Sequence, residues 1–355
     1  MKNLKKKIRR GTPLTIWMKK GKKKMKVEAK RTVNEFIYPP KTVTDGCHAS
    51  TVLPLPDGTV VAAWFGGTKE GNDDVKIWVS VRENEKWAEP YSVAVNGKSL
   101  PHWNPVLHLR ENGDIILYFK YGKPIPKWVT YYCISKDGGR SFSEPKVLVE
   151  GDFDGGRGPV KNKSIRLSDG TVVAPASKED FKIKRNWKCF VDISKDDGLT
   201  FEHSNFVIRP KKNLKPVSMI QPTLWENETG LHMLVRTGVG SIYKSDSKDG
   251  GKTWCKAYDT GMPNPNSGID VVKLDNGVLV LIMNPISENW GDRAPLVLMY
   301  SEDGGDNFTE FFSCEPTTGD HEFSYPAITA VGNTLHITYT HEREGIVYQK
   351  IELSF

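Results

Sequence analysis

The sequence predicts an all-β protein, a six-bladed β-propeller with four antiparallel strands in each blade. Two repeated patterns predict this fold, and the first is a short polar phrase. "SKDGGKTW" at Ser247 recurs as "SKDGGRSF" at Ser135, "SKDDGLTF" at Ser194 and "SEDGGDNF" at Ser301. A degenerate copy, "SVRENEKW", begins at Ser80. In chain order the starts lie 55, 59, 53 and 54 residues apart. Such a regular period is typical of a repeat architecture.

The second pattern lies upstream of each phrase and has the form of a β-hairpin. It consists of an apolar run, a turn pair such as Asp-Gly or Asn-Gly, and a second apolar run rich in Val, Ile and Leu. These turn pairs supply the positive φ that tight hairpins require. The first five hairpins are each followed by one phrase, and therefore by two more strands. The hairpins begin at Cys47, Trp103, Val160, Ile220, Gly268 and Phe323.

Four strands in each unit, repeated around an axis, form a propeller blade. Tandem β-sandwiches are the structural alternative, but six evenly spaced four-strand units fit them poorly. The sixth hairpin has only about one further strand after it. We expect the strand near residues 25–36 to complete that blade and close the ring.

We expect one propeller domain over residues 25–355, preceded by a basic and disordered arm over residues 1–24. The arm holds 11 Lys and Arg and no Asp or Glu, and its apolar part is too short for the core of a signal peptide. The other residues hold 39 basic and 43 acidic side chains, a formal net charge of −4. The basic charge of the whole chain is therefore no evidence for a nucleic-acid partner.

The five cysteines are scattered, odd in number and without CxxC spacing. This distribution argues against a disulfide framework or a zinc site and mildly favours a reducing compartment. No apolar run approaches 18 residues, so we expect no membrane span. These observations predict a cytoplasmic protein with no metal and no cofactor, and they leave the oligomeric state open.

Polar and aromatic residues crowd one end of the apolar hairpins. In a propeller, the start of each inner strand and the end of its hairpin partner meet at the mouth of the central channel. Convergent polar groups in a concavity predict a binding site, and arginine favours carboxylate ligands. Any one of these residues could equally bond to a neighbouring blade, so the set is more persuasive than its members. The set comprises His48, Trp64, Asn104, Lys120, Lys161, Lys163, Gln221, Arg236, Asp270, Asn284, Tyr325 and His341, with Arg293 nearby.

The recurring phrase resembles the Asp box of sialidase (neuraminidase) propellers, which forms the turn between the third and fourth strands of a blade. In that turn Asp bonds to backbone N–H groups, Gly adopts the left-handed conformation and Trp or Phe packs against the blade, so the role is structural. More closely, the chain is similar to the BNR-repeat sialidase-like group over about residues 27–355. The motifs HAST, WFGG, WNP, KNK, IQP, PNPNSG and EFSYPA begin at His48, Trp64, Trp103, Lys161, Ile220, Pro263 and Glu322.

The resemblance implies roles for individual residues. Sialidases hold the substrate carboxylate with three arginines, attack the anomeric carbon with a Tyr that a Glu activates, and use an Asp as acid/base. Arg236 and Arg293 match the second and third arginines, and Tyr325 matches the nucleophile. The acid/base loop corresponds to "KEGNDDVKIW", which contains Asp73 and Asp74 together with Glu70.

Two positions depart from the sialidase pattern. His48 stands where the first arginine is expected, and Gln221 replaces the activating Glu and cannot accept a proton from Tyr. Other sialidase-like propellers are lyases or atypical hydrolases that act on uronic-acid-linked sugars with His and Tyr. His48 and Tyr325 lie on the first and last blades, which become neighbours when the ring closes, so we expect them to meet.

Three functions therefore stay open. The first is exo-acting hydrolysis of a terminal acidic sugar of the sialic-acid type, which Arg236, Arg293 and Tyr325 favour. The second is elimination or atypical hydrolysis of uronic-acid-linked oligosaccharides, such as rhamnosyl-glucuronate, by His48 and Tyr325. The third is binding of acidic glycans without catalysis, because a propeller fold alone does not fix a function. In each case the expected partner is an acidic oligosaccharide or glycoconjugate.

Overall fold

Six antiparallel sheets form a six-bladed β-propeller in the computed structural model, which describes residues 26–152, 155–180 and 186–355. The predicted fold class is therefore confirmed. The predicted arm over residues 1–24 lies outside the described residues.

Each blade contains a predicted hairpin and the strands that follow it. The first blade contains β2 (Gly46–Pro54), β3 (Val60–Gly67) and β4 (Lys76–Glu83), with β5 (Lys86–Trp87) and β6 (Tyr91–Val93) both on the outer edge of β4. The second contains β7 (His102–Leu109), β8 (Ile115–Tyr121), β9 (Val129–Ser135) and β10 (Lys146–Val147). The third contains β11 (Ile165–Arg166), β12 (Val172–Lys178), β13 (Lys188–Ser194) and β14 (Glu202–His203).

The other three blades follow the same order. The fourth contains β17 (Met219–Asn227), β18 (Gly230–Thr237), β19 (Ser241–Ser247) and β20 (Tyr258–Pro263). The fifth contains β21 (Asp270–Lys273), β22 (Leu279–Met283), β23 (Leu296–Ser301) and β24 (Thr309–Glu315). The sixth contains β25 (Phe323–Val331), β26 (Thr334–His341), β27 (Gly345–Ser354) and β1 (Glu28–Phe36). A short 3₁₀ helix (Ile125–Lys127) and a hairpin of β15 (Lys211–Lys212) and β16 (Lys215–Pro216) lie outside the blades.

The ring closes through the first described strand. β1 pairs antiparallel with β27, from Glu28 opposite Ser354 to Phe36 opposite Val347. The two ends of the described chain thus share one sheet. The prediction that the strand near residues 25–36 completes the sixth blade is confirmed.

The core is divided into six clusters of buried apolar side chains among the described residues, one at each junction between neighbouring blades. This division follows from the apolar hairpins: all eight residues of β3 are buried, and so are all five of β22. Burying a Val or Leu side chain stabilises a protein by about 1.5–3 kcal/mol. The packing of blade on blade therefore holds the ring together and fixes the channel mouth.

The Asp boxes occupy the predicted turns between third and fourth strands. In the fourth blade, Asp249 accepts hydrogen bonds from Thr253 N (2.9 Å) and Ser247 Oγ (2.8 Å). Gly251 has φ +91°, and a Cβ atom there would lie 3.1 Å from both Leu231 and Val191. The position thus favours glycine for its conformation and for its close packing. These contacts make the box a clamp on the outer turn.

Two features differ from the expected repeat. The innermost strand of the third blade is short because the chain turns at Lys161, where φ is +66° and Asn162 N bonds to Val160 O (2.8 Å). The β15–β16 hairpin between the third and fourth blades was not expected, because its turn lacks the glycine that marks the others. None of the described residues forms a helix long and apolar enough to cross a membrane.

Candidate functional site

The inner hairpins of four blades share the same β-bulge at the channel mouth. In each, two residues on the inner strand lie opposite one residue on its partner. A bulge of this kind bends the strand and re-aims a side chain. The bulges lie between His48 and Thr51, Trp103 and Val106, Ile220 and Thr223, and Ser324 and Ala327.

The first of the two bulge residues has a left-handed backbone in each of the four hairpins. Tyr325 adopts φ +50° and Gln221 φ +53°, a conformation that costs a non-glycine residue roughly 1–2 kcal/mol. Proline follows both of them, and it is tolerated at a bulge because no ladder hydrogen bond is needed there. The bulge therefore gives a physical reason for the IQP and SYP motifs. The equivalent left-handed residues in the first two blades are Ala49 and Asn104.

Arg236 on β18 is buried, 2% exposed, and points its guanidinium at the Tyr325 bulge. Its Nη1 donates to Tyr325 Oη (2.7 Å) and to Gln221 Oε1 (3.0 Å), and its Nε donates to Asn266 Oδ1 (3.0 Å). All three acceptors are neutral. No carboxylate of the described residues forms an ion pair with Arg236, so no protein anion is in contact with its buried charge.

Two further arginines share one carboxylate beside this group. Arg293 Nη1 lies 2.9 Å from Glu322 Oε1, and Arg343 Nε lies 2.7 Å from the same oxygen. Arg343 also pairs with Glu70. Burial would raise the pKa of Glu322, but the two guanidinium groups hold it below its ordinary value. Glu322 is therefore an anion that positions two cations.

The phenol ring of Tyr325 lies close to two of these cations. The Cζ atoms of Arg236 and Arg293 are 5.3 and 5.7 Å from the ring centroid. Both distances are within the range of cation–π attraction. Any negative charge that develops on the Tyr325 oxygen would lie beside guanidinium groups.

His48 packs against the same tyrosine. The ring centroids of His48 and Tyr325 are 4.1 Å apart with a 46° angle between the planes, so the expected juxtaposition of the two residues is found. His48 Nδ1 lies 3.0 Å from Thr340 Oγ1. Burial, and then the charges of Arg343 and Arg293, lower the pKa of His48 well below its ordinary value. The imidazole is therefore neutral at neutral pH.

The polar atoms of the pair have different partners. Tyr325 Oη accepts from Arg236, while His48 Nδ1 contacts Thr340. The tilted rings thus pack against each other without a direct hydrogen bond. Proton transfer between them would have to run through a ligand or a water molecule.

Glu179 is a carboxyl group that the sequence analysis missed. It follows the end of β12, is 8% exposed, and makes no hydrogen bond or ion pair within the described part of the chain. Burial raises its pKa to about 7 from the ordinary 4.5, whereas Arg236 and Lys120 act in the opposite direction. A carboxyl group that titrates near neutrality is suited to general acid/base catalysis. The sequence feature that could have identified Glu179 is an acidic residue directly after an apolar strand.

Three predicted site residues, Lys161, Lys163 and Asp270, connect different blades through hydrogen bonds and an ion pair. Lys161 Nζ donates to Ile269 O (2.8 Å) and to Pro326 O, which joins the third blade to the fifth and sixth. Lys163 Nζ lies 2.9 Å from Asp270 Oδ1, and Asp270 Oδ2 accepts from the backbone N–H of the sixth blade. Burial lowers the pKa of Lys161 to about 7. Lys161 also touches the Tyr325 bulge, because Pro326 is the second residue of that bulge.

Lys120 and Trp64 are also held inside the protein. Lys120 Nζ donates to Thr130 Oγ1 (2.7 Å) and to Arg157 O, and burial lowers its pKa to about 8. Trp64 is 0% exposed and stacks on Tyr38 at 5.0 Å in the cluster between the first and sixth blades. The structure does not bring Trp64 to the channel mouth.

Asn284 and His341 both contact neighbouring groups, but Asn284 Oδ1 is buried without a hydrogen-bond partner among the described residues. Asn284 Nδ2 donates to Arg293 O (2.8 Å), and His341 packs edge-on against Phe36 at 5.2 Å. Asn104, in contrast, is mostly buried and makes no side-chain hydrogen bond within the ranges that the structure describes. Its amide is therefore available at the second blade's bulge.

The two candidate aspartates of the first blade do not contact Tyr325 or His48. Asp73 Oδ1 pairs with Lys123 Nζ (2.6 Å) at the surface. Asp74 accepts from Thr68 N (2.7 Å) and Thr68 Oγ1 (3.0 Å), and thereby closes its own loop. Glu70, their neighbour, reaches the site through Arg343. A catalytic role for Asp73 or Asp74 stays a prediction.

A cavity of about 560 Å³ lies on the His48 side of this group and is lined by His48, Phe65, Glu70 and Arg343, among others, but not by Arg236 or Tyr325. Its size is typical of a small-molecule site. Sequence reasoning did not single out Arg343, whose signal was its place in the turn after β26, or Asn266, which lies within the PNPNSG motif. Among the described residues, no group of three or more His, Cys, Asp or Glu side chains could hold a metal ion.

Comparisons with known proteins agree with this fold. A protein from Dyadobacter fermentans whose function is unknown has 16% identity and a TM-score of 0.72, covering 92% of this chain and 99% of its own. The Trypanosoma rangeli sialidase, solved with the inhibitor DANA, has 16% identity and a TM-score of 0.67, covering 91% and 59%. The NanB sialidase of Streptococcus pneumoniae has 13% identity and a TM-score of 0.66, covering 90% and 70%.

These identities are low, so the likeness shows the fold alone. A search of curated protein sequences finds no match. The sequence model of the BNR repeat-like domain, in contrast, matches residues 58–337. Because this match spans well over half of the chain, the protein belongs to the BNR repeat-like family, with the propeller fold of the sialidases.

Proposed function

We propose that this protein is an exo-acting glycosidase that removes a terminal acidic sugar from an oligosaccharide or glycoconjugate. The observation that carries the proposal is Arg236, a buried guanidinium whose three partners are neutral. A buried charge without a counterion is costly. A substrate carboxylate would supply the counterion, and Nη2 of Arg236, which makes no hydrogen bond within the described residues, is the nitrogen that could bind it. Arg293 provides a second cation beside the same tyrosine.

In the proposed hydrolysis, Tyr325 Oη attacks the anomeric carbon while the bond from that carbon to the leaving oxygen breaks. The leaving oxygen takes a proton from a carboxyl group at the mouth, and Glu179 is the candidate because its pKa of about 7 keeps it partly protonated at neutral pH. Gln221 cannot accept the proton of Tyr325, so neutral His48 is the candidate base, acting through a water molecule. Water then attacks the anomeric carbon as the bond to Tyr325 Oη breaks, and one proton of that water goes to the Tyr325 oxygen. The proton held by His48 returns to Glu179, which restores all three groups.

Elimination is the second candidate, and the contact of His48 with Tyr325 at 4.1 Å favours it. In a uronic-acid-linked sugar, neutral His48 would remove the proton next to the carboxylate, and the electron pair would form a double bond as the bond to the leaving oxygen breaks. The leaving oxygen would take the proton of Tyr325 Oη, and return of the proton from His48 to Tyr325 through a water molecule would complete the cycle. Arg236 and Arg293 would stabilise the charge that builds up on the carboxylate during this step. The replacement of the activating Glu by Gln221 matters less here, because this route needs no tyrosine nucleophile.

A product analysis tests the proposal. The purified protein is incubated with sialosides and with rhamnosyl- and glucuronyl-terminated oligosaccharides, and the masses of the products are measured by mass spectrometry. Hydrolysis adds the mass of one water, whereas elimination gives an unsaturated uronate that absorbs in the ultraviolet. The Tyr325→Phe variant is the control for contaminating activity. Binding of acidic oligosaccharides without any product would leave the protein as an acidic-glycan-binding propeller and refute the enzymatic proposal.

A further inference from the structure

A second and larger cavity, of about 960 Å³, lies at the mouth end of the fourth blade. One wall is the end of that blade's inner hairpin, where Gly238 N bonds to Ser218 O (3.2 Å). The opposite wall is the β15–β16 hairpin. The floor includes the apolar residues Val217 and Val239. The cavity is therefore a concave surface separate from the His48 cavity.

The cavity adjoins the proposed reaction site. Gly238 follows Arg236 by two residues, a distance of roughly 7 Å in an extended chain. Ser218 likewise precedes Gln221, the partner of Arg236, by three residues. A chain of sugars whose first unit is held by Arg236 would thus pass over this surface.

The lining of the cavity is cationic. Arg209, Lys212 and Lys215 line it, and its lining residues include no Asp or Glu. Arg209 donates to Trp187 O (3.1 Å) and Lys212 to Val239 O (3.3 Å), which are neutral carbonyl oxygens. Over the ranges that the structure covers, none of the three pairs with a carboxylate. The positive charge of the lining therefore complements an anionic ligand.

The hairpin that carries the lysines is unfavourable by itself. Lys212 and Lys215 are cross-strand partners, and like charges directly opposite each other destabilise a sheet. Its turn places Asn213 at φ +51° and Leu214 at φ +64°, with Leu214 91% exposed. A left-handed leucine costs roughly 1–2 kcal/mol. Neither the lysine pair nor the exposed turn contributes to the core, and an anion between the two ammonium groups would relieve their repulsion.

We infer that this cavity is a subsite for an anionic group, a carboxylate or a sulfate ester, on the sugar units that follow the terminal acidic sugar. The substrate class is then a polyanionic oligosaccharide with charge beyond its first unit. The inference rests on the proposed function, since it extends the same substrate. An anionic peptide is a different ligand and serves as a comparison in the test.

The experiment compares three substrates that share one terminal acidic sugar: a disaccharide, a longer chain with carboxylates, and a longer chain with sulfates. Each is assayed with the wild type, with Lys212→Gln combined with Lys215→Gln, and with a control, Lys248→Gln combined with Lys252→Gln. The control lysines are exposed and lie in the Asp box of the fourth blade, away from the mouth. Both double variants lose the same charge.

We expect the Lys212 and Lys215 double variant to raise KM for at least one longer substrate by on the order of 10-fold, since two partly exposed ion pairs are lost. Its kcat, its disaccharide kinetics and all kinetics of the control should stay unchanged. For the longer substrate, KM of the Lys212 and Lys215 double variant should depend less steeply on salt concentration than KM of the wild type. The chain that responds, carboxylated or sulfated, identifies the anion.

An equal loss on all three substrates, or no loss on either longer one, would overturn the subsite. If the wild type cleaves none of the substrates, the proposed function fails, and calorimetric Kd values for the longer chains decide the subsite instead. Weaker binding by the Lys212 and Lys215 variant alone would support it, whereas equal Kd values would refute it. Tighter binding of an acidic peptide than of either sugar chain would also refute it.

Discussion

The proposed carboxylate site makes Arg236→Lys a sharp test, because this change keeps the positive charge and removes the planar fork. Arg236 donates three hydrogen bonds, to Tyr325, Gln221 and Asn266, at 2.7, 3.0 and 3.0 Å. The shorter lysine side chain cannot keep these bonds and also pair both oxygens of a carboxylate. Hydrogen bonds to charged groups contribute about 1.5–3 kcal/mol each.

We therefore expect kcat/KM to fall on the order of 10²-fold, equivalent to about 2.7 kcal/mol of transition-state stabilisation. The assay is steady-state kinetics on the substrate found by product analysis, with thermal unfolding measured in parallel. Arg82→Lys is the matched control, because Arg82 pairs with Glu35 at 2.8 Å on the outer part of the first blade. Wild-type kinetics in Arg236→Lys, or an equal loss in Arg82→Lys, would refute the carboxylate clamp.

Three further predictions concern other groups of the site and the fold. His48→Ala and Tyr325→Phe should each abolish turnover, and the double variant should be scarcely worse in the same assay, because residues that act as a unit are non-additive; additive losses would contradict a joint role. The pKa of Glu179 is about 7 in the folded protein against an ordinary 4.5, so the folded state binds more protons than the unfolded state between these pH values. Ionisation of this carboxyl therefore lowers the free energy of unfolding as the pH rises from 4.5 to 7. Between pH 4.5 and 7.5, the free energy of unfolding of the wild type should fall by on the order of 3 kcal/mol relative to that of Glu179→Gln, as measured by denaturant unfolding. The same pH dependence in the two proteins would count against the burial of Glu179. Asp249→Ala should lower the melting temperature through loss of turn bonds of about 1 kcal/mol each while leaving substrate preference unchanged, and lost activity with an unaltered melting curve would contradict a purely structural Asp box.

The fold was predictable because its signals are local. Asp-Gly and Asn-Gly turns mark hairpins whatever surrounds them, and the Asp box carries all its hydrogen-bonding residues within eight positions. The closure of the ring by β1 followed from counting strands, since the sixth unit lacked one. The β15–β16 hairpin was missed because its Asn-Leu turn has no such mark.

The site was only partly predictable, because it depends on which way each side chain points. The observed register pairs His48 with Phe65, and a difference of one residue turns Trp64 to the opposite face of the strand and into the core. The bulge that re-aims Tyr325 comes from a left-handed residue that no periodicity reveals.

Long-range electrostatics set the rest of the site. Glu322 holds Arg293 and Arg343 together, although Arg343 lies 50 residues after Arg293 in the sequence. The pKa of Glu179 depends on its burial and on the charges of Arg236, Glu70 and Lys120, which come from three other blades. Neither effect has a signature in a short stretch of sequence.

The most direct test of the central claim is the release of a terminal acidic sugar by the wild type and by Tyr325→Phe, measured by product mass together with binding of the same substrate by calorimetry. The account predicts that the wild type releases the acidic sugar, while Tyr325→Phe releases none and binds the substrate with a Kd within a few-fold of the wild-type value. Release of the sugar by Tyr325→Phe at the wild-type rate, or binding without release by the wild type, would contradict the claim that Tyr325 and its arginines form the reaction site.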